Sequence, residues 1–142
     1  MVSQISAKDT WATLQEKPNS VLVDVRTKEE IDFVGFVDVS EINGKTVFLP
    51  WKIYPNMTSN EAFVDDLSAL INKTFPSSNP EEINLFFLCR SGARSFEAAL
   101  FMSDLGYVCY NITNGFEGHL DQSGHRGSIV GWKAENLPWR QK

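Results

Sequence analysis

Blocks of apolar residues with the spacing of strands and of helices alternate along this chain. Residues 21–25 and 85–88 are almost wholly apolar, which is typical of strands that are covered on both faces. Residues 47–49, which are stopped by Pro50, and residues 108–112 predict two further strands. The pattern therefore predicts four short strands that are separated by helical segments.

Helices are predicted where apolar residues recur at helical spacing behind a capping residue. Ser6, Thr27 and Thr58 are such capping residues, and Thr58 precedes a long run of apolar positions at helical spacing. A fourth helix, residues 93–105, follows the second apolar strand directly, and Gly106 ends it. Because this helix is apolar over most of its girth, we expect it to be packed between other elements.

Strands that alternate with helices imply an α/β fold with a mostly parallel central sheet and helices on both faces. In such sheets ligands bind beyond the carboxyl ends of the strands. Asp24 and Arg26 stand at the end of one strong strand, and Cys89 stands at the end of the other. We therefore expect these two strands to be neighbours and the functional site to lie at this edge.

Length and composition indicate one domain. The chain has 142 residues, of which 42% are hydrophobic, and this leaves little room for a second core. We expect a single domain over residues 1–142, with its core at about 5–118 and a tail at 119–142. Trp132 and Trp139 in the tail are expected to pack on the domain or on a partner, either a second copy of the chain or a protein acceptor. A formal net charge of −5 argues against nucleic acid and anionic membranes as partners.

The two cysteines are expected to be free thiols. Cys89 and Cys109 do not form the framework of a disulfide-rich protein, and residues 1–11 lack the apolar run of a secretory signal. We therefore expect a cytoplasmic location. The spacing of the cysteines from His119 and His125 does not match a metal site, so neither a metal nor another cofactor is expected.

The residues after the 85–88 strand carry the chemistry. A cysteine at a strand end, among the backbone amides that begin a helix and beside guanidinium groups, should be held as a thiolate. Here Cys89 has that position, and Arg90, Gly92 and Arg94 follow it. A buried structural cysteine, or a loop that binds phosphate without chemistry, are the alternatives. The arginines favour a sulfur nucleophile over a buried structural cysteine. Phosphate binding is disfavoured because the loop lacks the Gly-x-x-x-x-Gly-Lys spacing of a nucleotide-binding loop.

Three motifs, in order along the chain, resemble those of one family. The stretch Cys89-Arg90-Ser91-Gly92-Ala93-Arg94 resembles the active-site loop of the rhodanese family of sulfurtransferases. Residues 21–26 resemble the first-strand signature of that family, and residues 114–118 resemble its late glycine-rich turn. The resemblance runs, with gaps, from about residue 11 to residue 118, and residues 115–139 are similar to the C-terminal part of single-domain bacterial members. Residues 35–39 depart from the Gly-His-Ile-Pro-Gly-Ala that is common in the family.

The resemblance implies a mechanism and a set of site residues. A Cys89 thiolate attacks the outer, sulfane sulfur of a donor such as thiosulfate, sulfite leaves, and the cysteine becomes a persulfide. An acceptor, cyanide or a thiol, then removes the sulfur. Asp24 and Arg26 would support the loop from below, with a surface ion pair of small value as the alternative. The loop that binds substrate and persulfide would consist of Arg90, Ser91, Gly92, Ala93 and Arg94, with Arg90 or Arg94 holding the oxyanion end of a donor.

Two other functions remain open. Tyrosine phosphatases and the related cell-cycle dual-specificity phosphatases also combine a cysteine, an amide cradle and an arginine, so phosphatase or arsenate reductase activity is one alternative. The phosphatase loop, however, is one residue longer. The four residues between Cys89 and Arg94 suit a single sulfur atom better than a phosphate. Many rhodanese-like domains are non-catalytic binding or regulatory modules, usually without the cysteine, which this chain retains.

Three further side chains have two interpretations each. Cys109 is either a resolving thiol for Cys89 or a packing residue of its strand, and packing is favoured because free cysteine is commonly buried. Trp51 and Tyr54 either line the site or pack in the core. The core is favoured for both.

Overall fold

Strands and helices alternate through most of the chain in the computed structural model, which describes residues 1–142. The four helices are α1 (Ala7–Glu16), α2 (Lys28–Val34), α3 (Phe63–Thr74) and α4 (Ala93–Ser103). The nine strands are β1 (Val2–Ile5), β2 (Ser20–Asp24), β3 (Phe36–Val37), β4 (Thr46–Phe48), β5 (Lys52–Ile53), β6 (Thr58–Ser59), β7 (Asn84–Leu88), β8 (Val108–Ile112) and β9 (Trp139–Arg140).

Five of the strands form a parallel sheet in the order β1-β8-β7-β2-β4. β2 and β7 lie side by side near its centre, with Val21 opposite Leu85 and Asp24 opposite Leu88. Their carboxyl ends therefore meet at the same edge, and Cys89 lies directly beyond it. The predicted α/β class with a parallel central sheet is confirmed, and so is the predicted pairing of the two strong strands.

Alternate side chains of the central strands divide the core into two layers, one on each face of the sheet. The first layer combines β2 and β7 with α3 and α4 and includes Val21, Val23, Phe63, Leu67, Leu85, Phe87, Ala98 and Met102. The second combines them with α1 and the C-terminal tail and includes Ala7, Leu14, Leu22, Phe86, Leu88 and Trp132. Because both faces are covered, β2 and β7 are apolar without alternation.

Two of the three predicted capping residues begin their helices. The Ser6 hydroxyl oxygen accepts a hydrogen bond from the Asp9 N–H at 3.0 Å, at the start of α1. Thr27 and Glu30 form a reciprocal capping box at the start of α2.

The prediction for Thr58 is wrong. Thr58 lies in β6, which pairs with β5 in a short antiparallel hairpin, and α3 begins only at Phe63. The Asn60 side chain accepts a hydrogen bond from the Ala62 N–H instead. The chain therefore turns back on itself once more before the helix starts.

The expectation that α4 is packed between other elements is also wrong. Ala98, Ala99 and Met102 make its buried contacts with the sheet. Leu100 and Phe101 on the other side are exposed, although the Phe101 ring contacts another aromatic ring of the first layer. None of the four helices has the length and apolar character needed to cross a membrane.

The tail folds back on the domain. Trp132 is fully buried in the second core layer, where its ring lies edge-on against Trp11, with the ring centroids 6.0 Å apart. Its Nε1–H donates a hydrogen bond to the Pro138 carbonyl at 2.9 Å. β9 then pairs antiparallel with β3, and Trp139 lies opposite Val37.

Candidate active site

The side chain of Cys89 is buried immediately beyond β7, with 1% of its surface exposed. Its Sγ accepts a hydrogen bond from the Gly92 N–H at 3.1 Å. The Ser95 hydroxyl oxygen lies 3.2 Å from the same sulfur. The sulfur therefore faces the N-terminus of α4, where backbone amides and the helix dipole favour a negative charge.

Gly92 gives the loop its turn. Its φ is +117°, a conformation that side chains with a Cβ rarely adopt. A Cβ at this position would approach no other atom closer than 3.7 Å. The backbone conformation, and not a lack of space, therefore requires glycine here.

The glycine-rich turn after β8 clamps the loop. The Phe116 N–H donates to the Cys89 carbonyl at 2.8 Å, and the N–H groups of Glu117 and Gly118 donate to the Arg90 carbonyl at 3.0 and 3.1 Å. Gly115 has a φ of +60°, and a Cβ there would collide with the Cys89 carbonyl oxygen. The turn therefore fixes the first two carbonyls of the loop, and only glycine fits at its closest approach.

Arg94 forms a bidentate ion pair with Glu30 of α2. Nη1 and Nη2 of Arg94 lie 2.7 and 2.9 Å from Oε1 and Oε2 of Glu30, and the two side chains are only 16% and 21% exposed. Burial alone raises the pKa of Glu30, but hydrogen bonds and charge from Arg94, with hydrogen bonds from Thr27, lower it to about 2. The same pairing raises the pKa of Arg94. Glu30 therefore neutralises Arg94 at neutral pH.

A cavity of about 620 Å³ opens beside the loop. Three cationic and three anionic side chains contribute to its wall, so its formal charges balance: Arg90, Arg94, Arg126, Glu29, Glu30 and Glu117. The side chain of Arg90 is exposed and makes no ion pair, in contrast to Arg94. Arg90 is therefore the loop arginine that is available to a ligand.

The two aromatic residues near the motifs have different positions. Tyr54 lines the cavity and is more than half exposed, so the preference for a core position is wrong for this residue. Trp51 packs edge-on against Phe63, with 5.0 Å between ring centroids, which confirms the preference there.

Asp24 and Arg26 form a buried ion pair behind the clamp, and neither side chain has exposed surface. Nε and Nη2 of Arg26 lie 3.0 and 2.7 Å from the two oxygens of Asp24, and Nη2 also donates to the Gly35 carbonyl at 2.8 Å. The Arg26 guanidinium stacks over the Phe116 ring, 4.3 Å from its centroid. The alternative of a surface ion pair is therefore wrong, and the pair contacts the residue that holds the Cys89 carbonyl.

The motifs do not reveal a polar chain behind Cys89. Ser95 and Asn111 are both buried, and the Ser95 Oγ lies 2.6 Å from the Asn111 Oδ1. The Asn111 Nδ2 donates to the Gly92 carbonyl at 3.1 Å and to the Gln4 Oε1 of the edge strand β1 at 3.0 Å. The one signal in the sequence is a polar residue inside the strand Val-Cys-Tyr-Asn-Ile.

Cys109 is a buried packing residue of β8. It lies opposite Leu85, four residues before Cys89 and so about 13 Å away along the strands. Burial raises the pKa of its thiol to about 12, which keeps it protonated at neutral pH. These observations agree with packing and not with a resolving thiol.

His119 and His125 lie in the loop after the clamp. The loop is organised by Asp121, whose carboxylate accepts hydrogen bonds from the Ser123 and His125 N–H groups and from the Ser128 hydroxyl. His119 Nδ1 lies 3.0 Å from the Leu120 carbonyl oxygen. Neither imidazole makes a hydrogen bond to Cys89 or to its loop.

Comparison with known proteins gives consistent matches over most of the chain. A family model described as the rhodanese-like domain matches residues 6–122. An uncharacterized protein of Rickettsia conorii is 38% identical over 140 residues, which cover 98% of both chains. The crystal structure of Rv0390 from M. tuberculosis is similar with a TM-score of 0.85 and 39% identity, covering 99% of this chain and 98% of that chain. The solution structure of the 30 kDa polysulfide-sulfur transferase homodimer from Wolinella succinogenes has the same fold, with a TM-score of 0.62, 22% identity and coverage of 99% and 80%.

Proposed function

This chain belongs to the rhodanese-like family, and on that premise we propose that it is a sulfurtransferase that carries a sulfane sulfur as a persulfide on Cys89. One observation carries the proposal: the Cys89 sulfur lies at the carboxyl end of a central strand, 3.1 Å from the Gly92 amide nitrogen. An N–H group aimed at sulfur stabilises its anion, which is the form that attacks and the form in which a persulfide is held. The Wolinella succinogenes protein that shares this fold is named for the same class of reaction.

In the first half-reaction the Cys89 thiolate attacks the outer sulfur of thiosulfate. A sulfur–sulfur bond to Cys89 forms while the bond between the two thiosulfate sulfurs breaks, and sulfite leaves with the bonding electron pair. The product is an anionic persulfide, so the charge near the sulfur is unchanged. No proton is transferred in this step, and no general base is required.

In the second half-reaction an acceptor attacks the outer sulfur of the persulfide. Cyanide takes that sulfur as thiocyanate, whereas a thiol takes it as a new persulfide. The Cys89 thiolate leaves and is restored. Gly92 donates its N–H to the inner sulfur, which is the leaving group in this step.

We propose that Arg90 holds the oxyanion end of the donor. Arg94 had an equal claim on the basis of sequence, but both of its terminal nitrogens are engaged by Glu30. The exposed Arg90 side chain lines the cavity without a carboxylate partner. A guanidinium group binds two oxygens of a sulfonate in a planar fork, as it binds a carboxylate.

The ion pair between Arg94 and Glu30 also disfavours phosphatase or arsenate reductase activity. A phosphatase loop needs its arginine free to bind the oxygens of a tetrahedral oxyanion. Here a carboxylate already occupies the guanidinium fork of Arg94, and the loop is one residue shorter.

A free thiol on Cys89 is essential to the proposed chemistry, so we propose that the protein works in the reducing cytoplasm.

Steady-state cyanolysis, with thiosulfate and, in parallel, inorganic polysulfide as donor, tests the proposal. We expect the wild type to form thiocyanate and Cys89→Ser to fall to the uncatalysed background. Cys109→Ser is the matched control and should retain the wild-type rate, because Cys109 lies on another strand, about 13 Å from Cys89 along the strands. Equal rates for the wild type and Cys89→Ser with both donors would overturn the proposal and favour a non-catalytic rhodanese-like module.

A further inference from the structure

In the buried polar chain behind Cys89, formed by Ser95 and Asn111, three acceptor atoms lie within hydrogen-bond distance of a single hydroxyl group. The Ser95 Oγ lies 2.6 Å from the Asn111 Oδ1, 3.2 Å from the Gly92 carbonyl oxygen and 3.2 Å from the Cys89 Sγ. A serine hydroxyl has one proton, so it donates to only one of these atoms. The atom that accepts this hydrogen bond determines whether Ser95 presents a proton or an oxygen lone pair to the Cys89 sulfur.

The orientation of the Asn111 amide settles the competition. The Gly92 carbonyl can only accept, so the Asn111 group that lies 3.1 Å from it must be the NH₂ group. The Asn111 oxygen therefore faces Ser95. It accepts the hydrogen bond that the Ser95 hydroxyl donates, along the shortest of the three contacts. Ser95 is left with only a lone pair to present to Cys89.

We propose that Asn111 is a positioning residue that holds the Ser95 hydroxyl proton away from Cys89 and so restrains formation of the Cys89 thiolate. In this arrangement a neutral Cys89 thiol donates to Ser95, which donates to Asn111. A Cys89 thiolate, by contrast, faces the Ser95 lone pair. Rotation of the Ser95 hydroxyl toward the sulfur would leave the buried Asn111 oxygen without a donor, which is unfavourable.

The Gly92 amide and the Ser95 hydroxyl thus act on the sulfur in opposite directions. The Gly92 N–H favours the thiolate of Cys89, and the Ser95 hydroxyl, which donates to Asn111, favours the neutral thiol. The charged groups around this end of the site are the ion pairs Asp24–Arg26 and Arg94–Glu30 and the other charged side chains of the cavity wall, which are Arg90, Arg126, Glu29 and Glu117. The variants proposed below retain all of these groups, so their charges form a common background for every comparison.

This inference deepens the proposed function and rests on Cys89 being its nucleophile, but it is tested without a sulfur donor. The rate of Cys89 alkylation by iodoacetamide is measured from pH 4 to pH 10 by mass spectrometry of the Cys89 peptide, and the pH midpoint of the rate reports thiolate formation. A failure of sulfur transfer with intact alkylation behaviour would refute the function alone. A wrong pattern of alkylation midpoints would refute the role of Asn111 alone.

Asn111→Leu removes the competing acceptor and keeps the number and branching of the side-chain heavy atoms. The freed Ser95 hydroxyl then donates to the thiolate, because a charged sulfur is a stronger acceptor than the neutral Gly92 carbonyl, the other atom within its reach. We expect the midpoint to fall by about one pH unit. In Ser95→Ala/Asn111→Leu the midpoint should equal that of Ser95→Ala, because Asn111 acts only through Ser95. An unchanged or raised midpoint in Asn111→Leu, or an equal shift in the Ser95→Ala background, would overturn the proposal.

Ser95→Ala is a second test that does not require Asn111→Leu to fold. If Asn111 holds the Ser95 proton, removing the hydroxyl must not raise the midpoint. A rise of about one unit would mean that Ser95 donates to the sulfur, and the proposal would be wrong. Thr113→Val is the matched control, because the Thr113 hydroxyl donates a hydrogen bond to Gln4 at 3.4 Å and makes none with Ser95 or the loop. The midpoint of this variant should equal the wild-type value.

Discussion

At the scale of single residues, the site depends on which polar groups already have a partner. Arg90 and Arg94 are chemically identical and four positions apart in the same motif. Glu30 distinguishes them, because it engages both terminal nitrogens of Arg94 and none of Arg90. The partner comes from α2, more than 60 residues away along the chain, so the loop sequence alone does not contain this information.

Arg90→Gln tests which arginine holds the donor. Loss of a charged hydrogen-bond partner should lower kcat/KM for thiosulfate about 10- to 100-fold, mainly through a higher KM. Steady-state cyanolysis measures this effect, with the remote Arg140→Gln as control. A normal KM in Arg90→Gln would contradict the assignment of the oxyanion to Arg90.

Glu30→Gln should make the free energy of unfolding less dependent on pH in the acidic range. Pairing with Arg94 lowers the folded-state pKa of Glu30 from 4.5 to about 2, so its stabilisation is fully present above about pH 5 and is lost as the pH falls toward 2. Urea unfolding should show wild type more stable than Glu30→Gln by about 2 kcal/mol at pH 7, with the gap closing at low pH. The half-buried neighbour Glu29, which makes no salt bridge, supplies the control variant Glu29→Gln. A gap that is constant with pH would contradict the coupling.

At the scale of elements, two strands and a turn form the site. β2 and β7 end at the same edge of the sheet, and the glycine-rich turn after β8 holds the carbonyls that follow β7. The buried Asp24–Arg26 pair packs on Phe116 of that turn. The loop is thus held by the sheet on one side and by the turn on the other.

Gly115→Ala should disrupt this clamp. A Cβ at Gly115 would meet the Cys89 and Arg90 backbone, which must then move, so we expect both loss of stability beyond about 2 kcal/mol and a slower cyanolysis rate. Gly124→Ala is the matched control: it also has a positive φ, of +78°, but no atom lies near its Cβ. It should cost only about 1 kcal/mol and leave the rate unchanged. Equal effects of the two variants would show that the close approach is unimportant.

The elements that sequence predicts well are those that local pattern decides. β2 and β7 are apolar because both faces are buried, and the α1 and α2 caps depend on residues only three positions apart. β1 is absent from the prediction because Val-Ser-Gln-Ile is a short edge strand whose middle residues are exposed. The prediction that α4 is packed between other elements failed because the outer face of this helix carries exposed leucine and phenylalanine, which are common on protein surfaces.

The same distinction applies to the site. The position of Cys89 and the turn at Gly92 follow from the motif, because strand, loop and helix are contiguous there. The contacts of Asn111 and Gln4 with the loop do not, because they are made by strands from distant parts of the chain. Polar networks of this kind depend on tertiary packing, which short motifs do not encode.

At the scale of the whole molecule, the tail is part of the core. Trp132 fills the second layer, and β9 closes the structure against β3. Trp132 is therefore unavailable as an anchor for a partner, and Trp139 is half-buried within the domain itself. The C-terminal segment stabilises the face of the sheet that α1 leaves uncovered.

Trp132→Ala should destabilise the protein by about 3–5 kcal/mol, because it removes a fully buried side chain and its hydrogen bond to Pro138. Urea unfolding measures the loss. Leu120→Ala, a substitution of an exposed residue in the same tail, should change stability by less than about 0.5 kcal/mol. Similar small effects for both variants would contradict a structural role for the tail.

The proposed chemistry requires that sulfur is carried on Cys89, and intact-mass spectrometry detects that sulfur without reference to any acceptor. The reduced protein is exposed to thiosulfate or inorganic polysulfide, weighed, and then digested so that any added mass is mapped to a peptide. We predict a gain of about 32 Da, one sulfur atom, on the peptide that contains Cys89, and its removal by cyanide. A gain on the Cys109 peptide, or no gain with either donor, would contradict the persulfide mechanism.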